Sequence, residues 1–559
     1  MKHKGQTGQE GIALLTATIF IAMAVLVLAA LTVRVTNQNS QVAQYTNFRE
    51  CFQGIEAGLA QSKVDLEAGG TGMIGLSGQA TLPPTDASYV EPEFDGQGVS
   101  PLTIPTMPRV EYYAYAQDWA NDGIDNNGDG TVDGTDEDFV YTVFASARNG
   151  GVTRQAEVVL AGFDVNVWRN AVFGGTGQAG GLINGNVSIH GSVHLLGNNL
   201  PVGATAVEAL DLSGASLIHN NYVGMPAAYV TRVPALSQTL HNGELVESLD
   251  AKLRVKKGLV GMSGNSEIGE PNVAGNSIKE TMDGTYVTDG WTGNSVIDDG
   301  GRGDPTRLWS DNGWDEGYDL GDKVPLPILS DDWRDMYTGA KMVNPATGTW
   351  YTHEEYFSQV LANPAYPGDI LIKANTDFYY NASRPSDPDP ANLQPNDNYI
   401  LFNSATKVMK INGQIEIDGN LEITRGGGNE KTIYYTGRAA ILVRGNVTLN
   451  TDLYTINSDG TAANSFPANN VIGIMAEQDM TIGTLSQLYL MGAFYAQGKI
   501  ASSKQTIVAG TFVSNYFDMG TNVPDIYQIP TLADHLPFGM IGAYPILVFS
   551  QVSWRELGV

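Results

Sequence analysis

The residues with the clearest potential chemistry form one short acidic segment, residues 125–136, with the sequence DNNGDGTVDGTD. Oxygen-bearing residues stand at positions 1, 3, 5, 7, 9 and 12 of this segment, which are the ligand positions of a 12-residue calcium loop. Gly130 stands at position 6, where such a loop turns sharply. The segment therefore predicts a structural Ca²⁺ site whose ligands are Asp125, Asn127, Asp129, the carbonyl oxygen of Thr131, Asp133 and Asp136.

The alternative to a calcium site is a solvated acidic turn. Four carboxylates this close together would repel one another without a cation, which favours the metal. Strand-like sequence flanks the segment on both sides, so we expect a dockerin-like or thrombospondin-type loop without the paired helices of a calcium sensor. Position 12 is Asp136 where the usual loop has Glu, and Glu137 is the alternative ligand there.

Two further groups of polar residues are predicted to be surface features. His190 and His194 lie in a strand-like stretch without a third ligand in register, so we expect surface histidines more than a metal site. The second group fits no metal-binding loop and predicts a polar surface insertion; it comprises Asp311, Asp315, Glu316, Asp319 and Asp322.

No serine–histidine–aspartate set, phosphate-binding loop or zinc-ligand spacing is legible in the sequence. We therefore expect no enzyme activity and assign no catalytic residue. The alternative is a membrane-anchored, carbohydrate-active β-helix enzyme, because the catalytic carboxylates of such a fold come from distant coils that sequence spacing does not reveal.

Composition indicates an acidic, β-rich chain. The 559 residues include 60 acidic and 31 basic side chains, for a formal charge of -29, which makes binding to nucleic acid a poor expectation. The 65 glycines mark many tight turns between short apolar runs, as in β-rich proteins. Cys51 is the single cysteine, so no intramolecular disulfide can form.

The elements that position these residues begin with an apolar segment. Residues 12–33, IALLTATIFIAMAVLVLAALTV, carry no charge and would form about 33 Å of helix, enough to cross a bilayer. Lys2 and Lys4 precede the segment, which by the positive-inside rule sends the large C-terminal part outward. The alternative is an ordinary signal anchor.

Residues 34–66 predict an amphipathic continuation of this helix. Apolar side chains recur there at three- and four-residue spacing, so one face of the helix would rest on a globular domain. Cys51 lies in this stretch, where we expect a buried apolar residue more than a reactive thiol. The recurring side chains are Val42, Tyr45, Phe48, Phe52, Ile55 and Leu59.

The N-terminal 60 or so residues resemble those of PilX-type minor pilins of type IV pili. The residues that carry the resemblance are Gly11, Ala13, Leu14 and Leu15, followed by Arg49, Phe52, Glu56, Ala57, Gly58 and Leu59. The resemblance implies that residues 1–11 are a leader and that a prepilin peptidase cuts between Gly11 and Ile12. It also implies other pilin subunits as partners of the helix.

One residue departs from the pilin pattern. The fifth residue after the implied cut is Thr16, where most pilins carry a glutamate that neutralises the N-terminal amine of a neighbouring subunit. A buried ammonium is costly without a paired carboxylate, so this change weakens addition beneath an existing subunit. It suits a tip or initiating subunit, and the resemblance implies the same role.

The rest of the chain is predicted to be α+β in its first part and mostly β beyond. Residues 67–167 predict a small antiparallel β head containing the calcium loop, with a hairpin turn at Asn149, Gly150 and Gly151. Residues 168–525 carry short β units with glycine corners, as in INGNVSIHGSVHLLGN and INGQIEIDGNLEIT, and predict a parallel β-helix with an insertion at about residues 225–399. A β-sandwich or mixed antiparallel domains are the alternatives. Residues 526–559 are expected to form a C-terminal β segment.

Together these features predict a minor pilin-like subunit that acts in pilus assembly or priming and displays its β-rich ectodomain for adhesion. We expect the chain to be a single-pass protein of the inner membrane before assembly and to lie in a cell-surface pilus after assembly. The expected partners are other pilin subunits, the prepilin peptidase and the membrane.

Overall fold

The computed structural model describes residues 7–82, 86–121, 139–178, 183–185, 188–201, 207–293, 307–362, 364–387, 389–427, 430–485, 487–519 and 524–557. The chain forms two units, Met1–Phe163 with Leu547–Val559, and Asp164–Ile546. We call the first unit the head unit and the second the β unit.

The head unit begins with one unbroken helix, α1 (Thr7–Glu67). The predicted apolar and amphipathic segments are thus two halves of the same element. Alanine and leucine, both strong helix formers, are frequent in it, and proline is absent from this range. The helix ends where Gly69 takes a φ of 78°, a conformation that glycine adopts at little cost. By length and composition this helix could cross a membrane.

An antiparallel meander packs against the second half of α1. Its strands are β1 (Leu102–Ile104), β2 (Met107–Asp118), β3 (Val140–Asn149) and β4 (Val152–Asp164). β3 and β4 form the predicted hairpin, in which Asn149 pairs with Val152. Gly150 and Gly151 make the turn with φ angles of 56° and 83°, which suits the tight hairpin turns that glycine favours.

The β unit contains two runs of strands. The first run comprises β5 (Val172–Gln178), β6 (Ile183–Gly185), β7 (Ser188–His190), β8 (Val193–Leu195), β9 (Glu208–Gly214), β10 (Leu217–His219), β11 (Gln238–His241), β12 (Glu244–Glu247), β13 (Lys252–Val255), β14 (Leu259–Met262), β15 (Glu267–Ile268), β16 (Gly284–Val287) and β17 (Trp291–Thr292). A short helix, α2 (Ala227–Val230), interrupts it.

The second run follows a second short helix, α3 (His353–Tyr356). It comprises β18 (Tyr366–Pro367), β19 (Ile370–Lys373), β20 (Phe378–Asn381), β21 (Tyr399–Asn403), β22 (Val408–Asp418), β23 (Leu421–Thr424), β24 (Thr432–Val443), β25 (Val447–Asn450), β26 (Asp452–Thr455), β27 (Val471–Ala476), β28 (Met480–Ile482), β29 (Leu488–Ser502), β30 (Thr506–Asp518) and β31 (Asp525–Tyr527).

Most neighbouring strands of the β unit pair in parallel. One series of pairs runs β22, β24, β27, β29, β30, β5, β8, β13 and β16. Buried apolar side chains lie in register along it, so each strand buries its apolar positions on the next. The aligned residues are Ile415, Ile441, Ile474, Phe494, Phe512 and Val172.

The two runs meet in the middle of this series, because β30 pairs with β5. The first run therefore extends from β5 in one direction, and the second run approaches β5 from the other. The range predicted as an insertion, residues 225–399, also contains strands of the β unit. It contributes β13 and β16 to the series, and β19 pairs in parallel with β23.

The last strand, β32 (Leu547–Leu557), belongs to the head unit and lies beside β4 at the edge of its sheet. Its sequence pattern predicts a β strand but not this location. The edge strand of the head sheet thus comes from residues nearly 400 positions further along the chain than β4. Arg555 of β32 and Glu157 of β4, which are 398 residues apart, form an ion pair of 2.7 Å.

Candidate functional site

The first half of α1 presents apolar side chains to its surroundings. Between Leu14 and Val33 every large apolar side chain is exposed. The hydroxyl groups of Thr18 and Thr32 donate to carbonyl oxygens one turn earlier, each at 2.8 Å, so these hydroxyls need no partner outside the helix. Such a surface fits a lipid bilayer or apolar helices of other chains.

The residues of the implied cleavage site lie at the start of this exposed half. The backbone of Gly11 and Ile12 is already helical within α1. Thr16 lies on the exposed part of the helix. The structure therefore places the predicted cleavage site and Thr16, which differs from the pilin pattern, on the same helix as the apolar segment.

The second half of α1 is fixed to the sheet by small and apolar residues. Cys51 and Ile55 are buried against one face of the sheet, as the sequence indicates for Cys51. Gly54 and Gly58 let the helix approach that face closely. The sheet residues of this contact are Tyr112, Ala114, Ala145, Ala147 and Ala156.

An arginine joins the helix to the last strand. The Arg154 guanidinium lies 3.6 Å from the ring centroid of Phe48 and also contacts Phe52. Its Nε donates to Glu556 of β32 at 2.7 Å. Phe52 in turn packs edge-on against Trp554 of β32 at 6.1 Å. Phe52 is one of the residues that carry the pilin resemblance, and its contact explains why an aromatic side chain stands there.

All six predicted calcium ligands, from Asp125 to Asp136, lie outside the described residues. The flanking strands are described: Asp118 at the end of β2 pairs with Tyr141 near the start of β3. The indole Nε1 of Trp119 donates to Thr142 Oγ1 at 2.8 Å and closes the base of this connection. Among the residues that the structure describes, no group of three or more His, Cys, Asp or Glu could hold a metal ion.

The prediction of surface histidines was wrong for His190 and His194, which are both buried. Gly191, with a φ of 135°, separates β7 from β8, so the two histidines lie on different strands and not on one continuous strand. His190 stacks on His219 at 4.5 Å and on Tyr527 at 4.2 Å.

Burial sets the protonation of these histidines. It lowers the pKa of His190 to about 3, with a smaller contribution from the charge of nearby His219. The Nδ1 atom of His190 lies 2.7 Å from the carbonyl oxygen of Asn221, which requires that Nδ1 carries the proton. Burial likewise holds the pKa of His194 well below its ordinary value. Both rings are therefore neutral at physiological pH.

Three of the five acidic residues at positions 311–322 form ion pairs with cations outside that segment. Asp319 accepts from Arg254 at 2.7 Å, and Asp311 lies 2.8 Å from the Lys279 ammonium. Asp322 pairs with Lys256. The sequence indicated the acidic group but not these partners. Arg254 lies in β13, Lys256 directly follows that strand, and Lys279 lies in the segment before β16.

A second ionic cluster has no local sequence signal. Arg444 donates to Glu416 at 2.7 Å and to Glu354 at 2.5 Å, and it lies 3.2 Å from Glu477. It also donates to the hydroxyl of Ser358 at 2.7 Å. Because one guanidinium donates hydrogen bonds to all three carboxylates, this cluster has the contacts of a structural network.

No protein-family model and no curated protein matches the sequence. Among solved structures, the competence-associated pilin ComZ from Thermus thermophilus is similar to this chain, with a TM-score of 0.43 and 16% sequence identity. The alignment covers 92% of this chain and 98% of that one.

Proposed function

We propose that this chain is a non-enzymatic minor pilin-like subunit of the PilX type. It enters the inner membrane by the first half of α1, is cut after Gly11 by a prepilin peptidase, and then joins or primes a type IV pilus or a related secretion pseudopilus. The observation that carries the proposal is α1 itself, one unbroken helix whose first half is apolar and exposed and whose second half is packed on an antiparallel sheet.

The position in the filament follows from Thr16. A subunit without the usual glutamate cannot neutralise the amine of a neighbour, and a subunit at the tip has no neighbour above it. A β unit that spans Asp164–Ile546 is also bulky for a repeating shaft subunit. We therefore assign the chain to the tip or to the initiating complex.

In this proposal the β unit is the displayed part. Its series of parallel pairs supports a β-solenoid, in which each coil buries its apolar face on the next. The solenoid would be presented for adhesion to a surface or to another cell, and Ca²⁺ bound at residues 125–136 would stabilise the connection between β2 and β3.

N-terminal sequencing tests the processing step. In cells with the prepilin peptidase the mature chain should begin at Ile12, and in cells without it the chain should begin at Met1. Gly11→Leu should block the cut, whereas Gly8→Leu, a glycine three positions earlier in the leader, should leave it intact. A chain that begins at Met1 in both strains would overturn the pilin proposal.

Assembly is tested separately from processing. The processed chain should be recovered with filaments sheared from the cell surface, in amounts far below those of the shaft subunit. Recovery in the membrane fraction alone would contradict a place in the filament.

A further inference from the structure

The head sheet has a second face, which points away from α1 and lines a cavity of about 210 Å³. Strand residues alternate between the two faces of a sheet, so the neighbours of the α1-facing alanines form its floor. One row across the floor is Tyr113, Ser146 and Gln155, which are cross-strand partners on β2, β3 and β4. The adjacent row contains Tyr115 and Phe144, whose rings stack at 5.0 Å.

The segment of residues 86–100 covers this floor and is fastened to it. The hydroxyl of Tyr113 donates to the carbonyl oxygen of Pro92 at 2.6 Å. The Phe94 ring packs edge-on against Tyr113 at 4.9 Å and lies 4.6 Å below the Arg148 guanidinium. Arg148 also donates to Asp95 at 2.5 Å. These contacts hold the wall of the cavity in place without a ligand, which lowers the ordering cost of binding.

The lining combines aromatic faces with neutral and acidic hydrogen-bonding groups. Burial raises the pKa of Tyr115, helped by the nearby Tyr89 and Glu91, so its hydroxyl stays protonated and can donate. Amide and carboxylate groups supply further donors and acceptors, and the described lining contains no lysine, arginine or histidine. The polar lining residues are Tyr89, Glu91, Gln117, Ser146 and Gln155.

This chemistry selects a ligand class. Rings that offer a flat apolar face, together with amides and a carboxylate that bind hydroxyl groups, match a neutral sugar. An anionic ligand would meet Glu91 without a compensating cation. The volume lies below the roughly 300 Å³ at which pockets for drug-sized ligands begin, which limits the ligand to about one ring.

We propose that the head cavity binds one neutral hexose or N-acetylhexosamine unit of a glycan. The carboxylate of Glu91 accepts hydrogen bonds from sugar hydroxyls, and the amide of Gln155 orients the ring over the aromatic floor. The site lies in the head unit and does not depend on pilus assembly, so it can be tested whether or not the proposed function holds.

Saturation-transfer NMR with the full chain in a detergent that carries no sugar headgroup tests the site. The probes are glucose, galactose and N-acetylglucosamine, with glucuronic acid and sialic acid as acidic counterparts. We expect a neutral sugar to bind with a Kd of about 1 mM and the acidic sugars to bind at least about tenfold more weakly.

Two matched substitutions locate the binding. Glu91→Gln keeps the side-chain size but removes the charged acceptor, and it should weaken binding about tenfold or more. Glu93→Gln changes the same chemistry two residues away on the same segment, outside the lining, and should leave the Kd unchanged. The absence of saturation transfer to any neutral sugar would overturn the proposal. Equal loss in both variants, or equal binding of acidic sugars, would also overturn it.

Discussion

Gly54 of α1 lies directly against Ala147 of β3: a Cβ atom on the glycine would lie 2.7 Å from the Ala147 Cβ and 2.8 Å from Val110 Cγ1. Gly58, one helical turn later, leaves more room, because its Cβ would meet Ala114 and Ala145 at 3.4 Å. The helix therefore approaches the sheet more closely at Gly54 than at Gly58.

This difference predicts different effects of the same substitution at Gly54 and Gly58. Gly54→Ala should destabilise the head unit, since overpacking costs about 1–3 kcal/mol and the better helix propensity of alanine returns only about 1 kcal/mol. Gly58→Ala should be neutral or slightly stabilising. The single thiol of Cys51 is buried beside this contact, so its alkylation rate in rising urea reports opening of the head unit. Equal shifts in the two variants would contradict the close approach.

The Arg444 cluster predicts a large loss of stability in the β unit. Arg444→Leu leaves the Glu416 side chain, which is 6% exposed, without its cation and should cost about 3–5 kcal/mol. Thermal unfolding followed by tryptophan fluorescence measures the loss, since Trp168, Trp291, Trp309, Trp314, Trp333 and Trp350 all lie in this unit.

Two controls distinguish the effect of a buried, unpaired carboxylate from a general packing defect. Arg444→Leu combined with Glu416→Leu should recover much of the lost stability, because no buried carboxylate is then unpaired. Lys499→Ala removes a lysine of the same unit that is 44% exposed and lies 3.9 Å from Asp518, and it should cost at most about 1 kcal/mol. If the double variant is no more stable than Arg444→Leu, charge burial is not the cause.

Local patterns explain which features could be predicted from the sequence. The uncharged run beginning at Ile12 and the Asn-Gly-Gly turn after β3 are set by neighbouring residues, so the helix and the hairpin were predicted correctly. The pairing of β30 with β5 joins segments more than 300 residues apart and leaves no local trace. The ion partners of Asp311 and Asp319 and the buried state of His190 depend on the same long-range arrangement.

The candidate sites divide in the same way. The predicted calcium loop is one contiguous segment, so its pattern can be read directly from the sequence. The head cavity is assembled from residues of four strands and a covering segment, and Tyr113 or Gln155 alone gives no sign of it. A search for polar residues on the sheet face opposite the helix could have found it.

His190 predicts a dependence of stability on pH. Its pKa is lowered to about 3 in the folded state, which therefore favours the neutral ring. In the unfolded state the pKa is near 6.5, so as the pH falls the unfolded chain binds the proton first. This contribution to stability is complete above about pH 6.5 and is lost as the pH falls towards 3. Between about pH 6 and pH 3, each fall of one pH unit should lower the free energy of unfolding by about 1.4 kcal/mol through this residue.

The dependence of stability on pH distinguishes titration of His190 from a change in its packing. His190→Phe keeps a ring between His219 and Tyr527 but leaves the carbonyl oxygen of Asn221 without its donor, so it should be less stable at every pH. Its stability should also fall less steeply between pH 6 and pH 4 than that of the unsubstituted chain. Parallel curves in thermal unfolding would contradict titration of His190 in this range.

The predicted Ca²⁺ site should affect the stability of the head unit. β2 ends at Asp118, which pairs with Tyr141 near the start of β3, so a cation bound between these two strands in the sequence should favour the paired strands. Binding only to the folded state adds about 2.7 kcal/mol at a Ca²⁺ concentration of 100 times Kd. Chelation with EGTA should therefore shift Cys51 alkylation to lower urea, and added Ca²⁺ should restore it.

Substitution identifies the ligands. Asp129→Asn removes one carboxylate at position 5 of the loop and should raise the Ca²⁺ concentration needed for this protection, whereas Asp86→Asn, an exposed head carboxylate outside the loop, should not. Mass spectrometry under native conditions should detect one bound Ca²⁺ in the unsubstituted chain. If no metal is found and EGTA leaves the alkylation curve unchanged, the acidic segment is a solvated turn, because a ligand that binds only the folded state must stabilise it.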